Sequence, residues 1–159
     1  MAKALSINIQ GLRQTIFALE QKLDARLKEI DMEMAAGVEQ MATTAKSIFP
    51  TGNSLSPTQT KTYSDIRSSI RAIKKRPYQY ELIAGNGTDP MPAYIEFGTG
   101  KYFPQYPGKA PDWQILAKQY YVNGEGMMRP SPYFYPSVTS GLVSLQSNIK
   151  QILKRNERL

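Results

Sequence analysis

The chain has 159 residues, with 20 Lys and Arg against 13 Asp and Glu, a formal net charge of +7, and neither Cys nor His. Without Cys there is no disulfide framework, thiolate metal cluster or cysteine nucleophile, and without His the commonest general base and zinc ligand are gone. The acidic residues form no clustered motif for a carboxylate pair or an oxygen-only metal site, so the expectation is one domain, residues 1–159, that is not an enzyme and takes no cofactor.

The positive excess favours attraction to nucleic acid as a property of the surface rather than of the fold. No window approaches the ~18 apolar residues that a membrane span requires. The first residues carry no apolar signal core, so the reading expects a soluble protein made and used without secretion or membrane contact.

In chain order, Ala4-Leu5-Ser6-Ile7-Asn8-Ile9 alternates with period two and predicts a short opening strand. Leu12, Ile16, Leu19, Leu23, Leu27, Ile30, Met34, Val38, Met41, Ala45 and Ile48 then recur in steps of three and four, which predicts a long helix with a solvated opposite face. Unbroken, about 40 residues at ~1.5 Å each make a rod of roughly 60 Å, so the helix must bend or find a partner. Gly37 is the cheapest place for a break. Packing of the stripe on the protein's own sheet is preferred to an intermolecular coiled coil.

Phe49-Pro50-Thr51-Gly52-Asn53 ends the helix, and the Ser/Thr-rich segment up to Tyr63 reads as a mobile polar loop. Ile66–Lys75 and Tyr78–Ala84 read as two antiparallel strands on either side of Arg76-Pro77, with Ser68-Ser69-Ile70 open to a helical assignment. Gly85-Asn86-Gly87 predicts a tight turn with positive φ angles, and Pro92–Gly98 a short helical turn rather than a strand. A Gly/Pro/Tyr-rich excursion, 100–128, follows as an inserted segment with a helical candidate at Pro111–Tyr121. The last segment, Pro136–Leu153, places Val138, Leu142, Leu145, Ile149 and Leu153 at helical spacing and ends in cations that suit a helix C-terminus. The fold class expected is α+β: a long N-terminal helix and a C-terminal helix packed on a small, mainly antiparallel sheet.

Two stretches stand out as candidate function, Tyr94-Ile95-Glu96-Phe97-Gly98-Thr99 and Arg129-Pro130-Ser131-Pro132-Tyr133-Phe134-Tyr135-Pro136. Gly98 would let the chain reverse where a side chain does not fit. Glu96 either pairs with a basic residue while Phe97 is buried, or is solvated beside a core Phe97. Pro130, Pro132 and Pro136 make either an extended arm that docks on a neighbouring subunit or a lead-in to the final helix. Arg67, Arg71, Lys74, Lys75 and Arg76 are the densest run of positive charge, and such runs are usually solvated faces.

Together with Ala45-Lys46-Ser47-Ile48-Phe49-Pro50, Thr51-Gly52-Asn53-Ser54-Leu55 and Ser69-Ile70, these stretches, in this order between a long helix and a final one, resemble the HK97 gene-product-ten-like family of tailed-phage proteins. The resemblance spans nearly the whole chain outside the excursion. It departs from the family pattern in the long gap between Thr99 and Arg129 and in Ser131, which stands at an Arg-like position. It implies a structural virion protein without enzymatic activity: a subunit of a homo-oligomeric ring, six-fold in expectation, at the phage neck, head-tail connector or tail end. Its location would be the virion, reached from the host cytoplasm during assembly. Partners would be copies of itself and adjacent neck and tail proteins. Tyr94, Glu96, Phe97, Gly98, Thr99, Pro130, Pro132, Phe134 and Pro136 would form the subunit interface or its motif, and Arg71, Lys74, Lys75 and Arg76 would line the DNA channel through non-specific phosphate contact. The alternative is a sequence-independent DNA-binding module acting through its basic patch.

Overall fold

The long stripe folds as a single helix, α1 (Gln10–Ile48), 39 residues and about 58 Å from end to end. In the computed structural model, which describes residues 10–51, 57–86, 88–99 and 128–155 with backbone alone for 10–16 and 57–61, there follow α2 (Pro57–Ser69), β1 (Arg71–Arg76), β2 (Gln79–Ile83), α3 (Met91–Phe97) and α4 (Phe134–Lys154). The two strands form an antiparallel sheet, so the α+β arrangement holds, with a long first helix, a final helix and a small sheet. The expected opening strand at 4–9 and the helix at 111–121 lie outside the described residues.

Gly37 does not break α1. It sits where α4 crosses, and a Cβ there would come within 2.9 Å of Leu145 Cδ1. On α4, Gly141 makes the reciprocal concession to Met41. The helices run antiparallel from that crossing, through Asn148 Nδ2 donating to Glu33 Oε1 at 2.7 Å and Arg155 beside Glu29 at 3.5 Å. Close packing of two helices outweighs the ~1 kcal/mol that Gly costs in a helix interior.

The core lies under the second half of α1, where Met41, Ala42, Ala45 and Phe49 are buried with Ile66, Ile70, Ile95 and Tyr133. Phe49 is its hub, edge-on to Tyr63 of α2 at 5.8 Å and to Tyr133 at 4.7 Å. Burial of a side chain of this size contributes roughly 1.5–3 kcal/mol. That docking corrects the expectation of a mobile loop for residues 57–63; its part at 52–56 lies outside the described residues. Pro57 opens α2, and Tyr63, Ile66 and Ile70 lie at helical spacing toward Phe49, so the segment has an apolar face despite its Ser/Thr content. It also moves the first strand: Ile66–Ser69 belong to α2, and β1 starts at Arg71. Arg67 Nε donates to the Lys46 carbonyl at 2.9 Å, which satisfies one of the orphan acceptors at the end of α1.

The hairpin turns at Pro77-Tyr78, with an irregular register between Lys74 and Arg76. Tyr78 has φ 61°, an unusual conformation for a bulky residue. Asp31 of α1 holds it: Oδ1 accepts the Tyr78 N–H at 2.9 Å and the Tyr80 hydroxyl at 3.0 Å, and Oδ2 pairs with the Lys74 ammonium. A single carboxylate thus pins the hairpin tip to the middle of α1.

Lys74 first, then the Tyr78 N–H, hold the Asp31 carboxyl below its ordinary value. A depressed folded value adds stability above the unfolded value of about 3.9 and loses it as pH falls through the folded value. Carboxyl-detected titration should therefore find the Asp31 midpoint below the usual aspartate range, with the Tyr78 amide and Tyr80 ring resonances shifting in step. Asp31→Asn should abolish that acid transition at the hairpin while leaving the helical signal unchanged.

Candidate functional site

The two stretches singled out in the sequence meet inside the chain. The approach to α3 is built from polar turns: Asn86 Oδ1 accepts the N–H groups of Thr88 at 3.1 Å and Asp89 at 3.0 Å, and Asp89 Oδ1 accepts that of Met91 at 2.9 Å. The positive φ falls on Gly85, at 82°, rather than on Asn86. Asn86 therefore acts through its side chain, and the segment leads into a helix rather than a hairpin. As expected, Pro92–Phe97 is helical, and every one of these residues is buried.

Glu96 is 2 % exposed, and its carboxylate lies at the start of α4. Oε2 accepts the N–H groups of Tyr133 at 2.7 Å and Phe134 at 2.8 Å, and Oε1 accepts that of Tyr135 at 3.1 Å. A helix leaves its first four N–H groups without partners, and here the fourth position is Pro136, which has none to satisfy. Glu96 and Pro136 together account for the whole N-terminus of α4, with a negative charge at the positive end of the helix dipole. Of the two readings of Glu96, the solvated one fails, because the residue is buried. Its described hydrogen bonds run to backbone amides distant in sequence, whereas Phe97 is core, fully buried and 5.8 Å from the Tyr135 ring.

Gly98 closes α3 with φ 74° and ψ 177°, a region essentially confined to glycine. A Cβ there would meet Met128 O, Pro130 N and Pro130 Cδ, each at 2.8 Å. On either side of it the two stretches bond directly: Ser131 N–H donates to Ile95 O at 2.8 Å and Thr99 N–H to Met128 O at 2.8 Å. Thr99 Oγ1 in turn accepts the Met128 N–H at 2.8 Å. The excursion therefore leaves and re-enters at one reciprocal pair, Thr99 and Met128; its interior lies outside the described residues.

The remaining motif residues take lesser places. Tyr94 is buried on α3; Pro130 packs against Gly98; Pro132 and Phe134 are half-buried; Pro136 is exposed. A small apolar recess beside the carboxylate is bordered by Ala84, Pro92, Phe97 and Phe134. Tyr133, fully buried, has its hydroxyl pushed up, by burial first and the Glu96 charge second, and donates to Pro92 O at 3.4 Å.

The four cations assigned to a channel all lie on β1 and are exposed. Arg71 donates to the Ser69 carbonyl at 3.0 Å, Lys74 is paired with Asp31, and Lys75 is 3.3 Å from Glu81. Pairing lowers the positive potential that this strand presents. Sequence reading missed Asp31, which looks like any other charge on the solvated face of a long helix. It also missed Ser69 as a joint, whose Oγ accepts the Gly85 N–H at 2.7 Å and donates to Ile66 O at 2.6 Å.

The chain matches no family model, no curated protein and no solved structure. The likeness to the phage family therefore rests on the motif residues themselves.

Glu96→Ala, which strands the buried amide of Tyr133 and the partly buried ones of Phe134 and Tyr135, should cost about 3 kcal/mol, and Glu96→Gln, which keeps one acceptor oxygen, about 1–2 kcal/mol. Gly98→Ala should cost at least about 2–3 kcal/mol from backbone strain and collision with Pro130. Chemical denaturation of the purified variants measures all three.

Proposed function

We propose that this protein is a structural virion component, a subunit of a ring at the head-tail junction or tail end of a tailed phage, in a neck, tail-completion or tail-terminator role. The observation that carries this reading is the junction of the two motif stretches. The residues that resemble the phage family form one connected device, in which Glu96 binds the start of α4 and Gly98 and Thr99 bind the segment that leads to it. The single carboxylate of the motif, Glu96, is engaged with backbone amides, the role of a scaffold residue. A scaffold that holds the base of a long helix rigid also suits a subunit whose work is mechanical. Copies of the chain, with neck and tail proteins above and below, would be its partners, and the virion its final location.

The rival reading, a free DNA-binding module, has less support. Lys74 and Lys75 are each matched by a carboxylate, which leaves Arg71 and Arg76 as the cations of β1 without an ion pair among the described residues. Imaging of the purified protein mixed with neighbouring virion components should reveal closed rings seated at the neck or tail end. Solitary molecules with no place on particles would contradict it. Retention on duplex DNA that falls steeply with salt and is lost on Arg71→Glu with Arg76→Glu would favour the rival.

A further inference from the structure

The first half of α1 carries an apolar face that the rest of the described chain does not cover: Leu19 is 60 % exposed, Leu23 57 % and Leu27 36 %. These three continue a register that runs through the whole helix with a period of eleven residues. Leu23 is followed by Met34 and Ala45, Leu27 by Val38 and Phe49, and Leu19 by Ile30 and Met41. Further along, the same columns seat α4 and the core, where Val38, Met41, Ala45 and Phe49 are buried. The uncovered half thus carries the same apolar register as the half that accepts a helix, with Arg26 in the column of Gly37, and an eleven-residue period gives such a seam a slight right-handed twist.

Charge selects the occupant. On a helix turning about 100° per residue, Glu20 and Asp24 fall on one flank of Leu19, Leu23 and Leu27, while Lys22 and Arg26 fall on the other. Within the helix these are like-signed pairs at spacing i, i+4, an unfavourable arrangement for an isolated helix. Glu20, Lys22 and Asp24 are exposed, Arg26 is partly covered, and none forms an ion pair with a described residue. Two such helices packed antiparallel would set acid against acid and base against base. Packed in parallel, they set the acidic flank of one against the basic flank of the next.

We infer that this face is a self-association seam, occupied by the same segment of a second copy of this chain in parallel orientation. A parallel pair of this kind is isologous: a two-fold axis runs along the seam, and on both edges the acidic flank of one copy meets the basic flank of the same partner. The inference goes beyond the ring reading and names one surface through which two copies touch.

The absence of Cys allows a clean test on the full-length protein. Leu19→Cys alone and Leu27→Cys alone, treated with a short bifunctional maleimide, should each give a cross-linked dimer, because parallel copies bring like positions together. Glu20→Lys with Asp24→Lys should lose the associated species in sedimentation, and adding Lys22→Glu and Arg26→Glu should restore it, with the helical signal of each variant serving as the check on folding. Cross-linking only in a mixture of the two Cys variants would mean an antiparallel seam and would overturn the inference. So would monomers in which Leu19 and Leu27 are shielded by other parts of the same chain. Rings on particles without cross-linking at either position would remove this seam and leave the ring reading standing. Cross-linked dimers without any ring on particles would do the reverse.

Discussion

A helix that begins inside a protein has up to four backbone N–H groups with nowhere to go, and α4 begins inside this one. The Tyr133 amide is buried and those of Phe134 and Tyr135 are partly so, and the chain just before the helix supplies no side-chain cap. The acceptor comes instead from Glu96, 37 residues earlier than Tyr133, through an oxygen pair that spans Tyr133, Phe134 and Tyr135. Much else follows from the need to deliver that carboxylate. α3 must be short and buried so that Glu96 points at the helix start. Gly98 must adopt a conformation closed to other residues so that the returning segment can pass beside it. Thr99 must meet Met128, whatever length of chain lies between them. With α4 anchored at its base, its glycine contact with α1 and the burial of Phe49 against Tyr133 are set as well.

The hairpin is held by an independent device of the same kind. Asp31, in the middle of α1, collects a backbone N–H, a phenol and an ammonium from the hairpin and so compensates for the unusual backbone at Tyr78. Both devices use one carboxylate to satisfy groups from a segment distant in sequence, and among the described residues no buried side-chain nitrogen or oxygen lacks a partner. Between them they explain why a chain with a net charge of +7 keeps these particular acids.

Periodicity made the helices legible, because a stripe repeated over 39 residues overwhelms local exceptions such as Gly37. The break expected there failed since the missing side chain serves a neighbouring helix, a purpose that becomes visible only once α4 is in place. α2 was hidden by its Ser and Thr content, although Tyr63, Ile66 and Ile70 held the signal at helical spacing. The motif was legible as a place and illegible as a mechanism: Glu96 and Pro136 could be seen to matter, but the joint accounting of three helix N–H groups and a proline needs the two stretches side by side. Asp31 had no signal at all, since a carboxylate on a helix face looks the same whether it meets water or a hairpin tip. The uncovered half of α1 was legible as part of a helix that must bend or find a partner, and the helix runs unbroken from Gln10 to Ile48.

The claim at the centre of this account is that Glu96 joins the two halves of the motif into one cooperative unit with the core. Native-state hydrogen exchange at the amides of Tyr133, Phe134 and Tyr135 tests it directly. The account predicts that all three exchange only through global opening, with protection matching that of core amides in α1 such as Ala42 and Ala45. Exchange at these amides as fast as at a frayed helix end, while Ala42 and Ala45 stay protected, would contradict it.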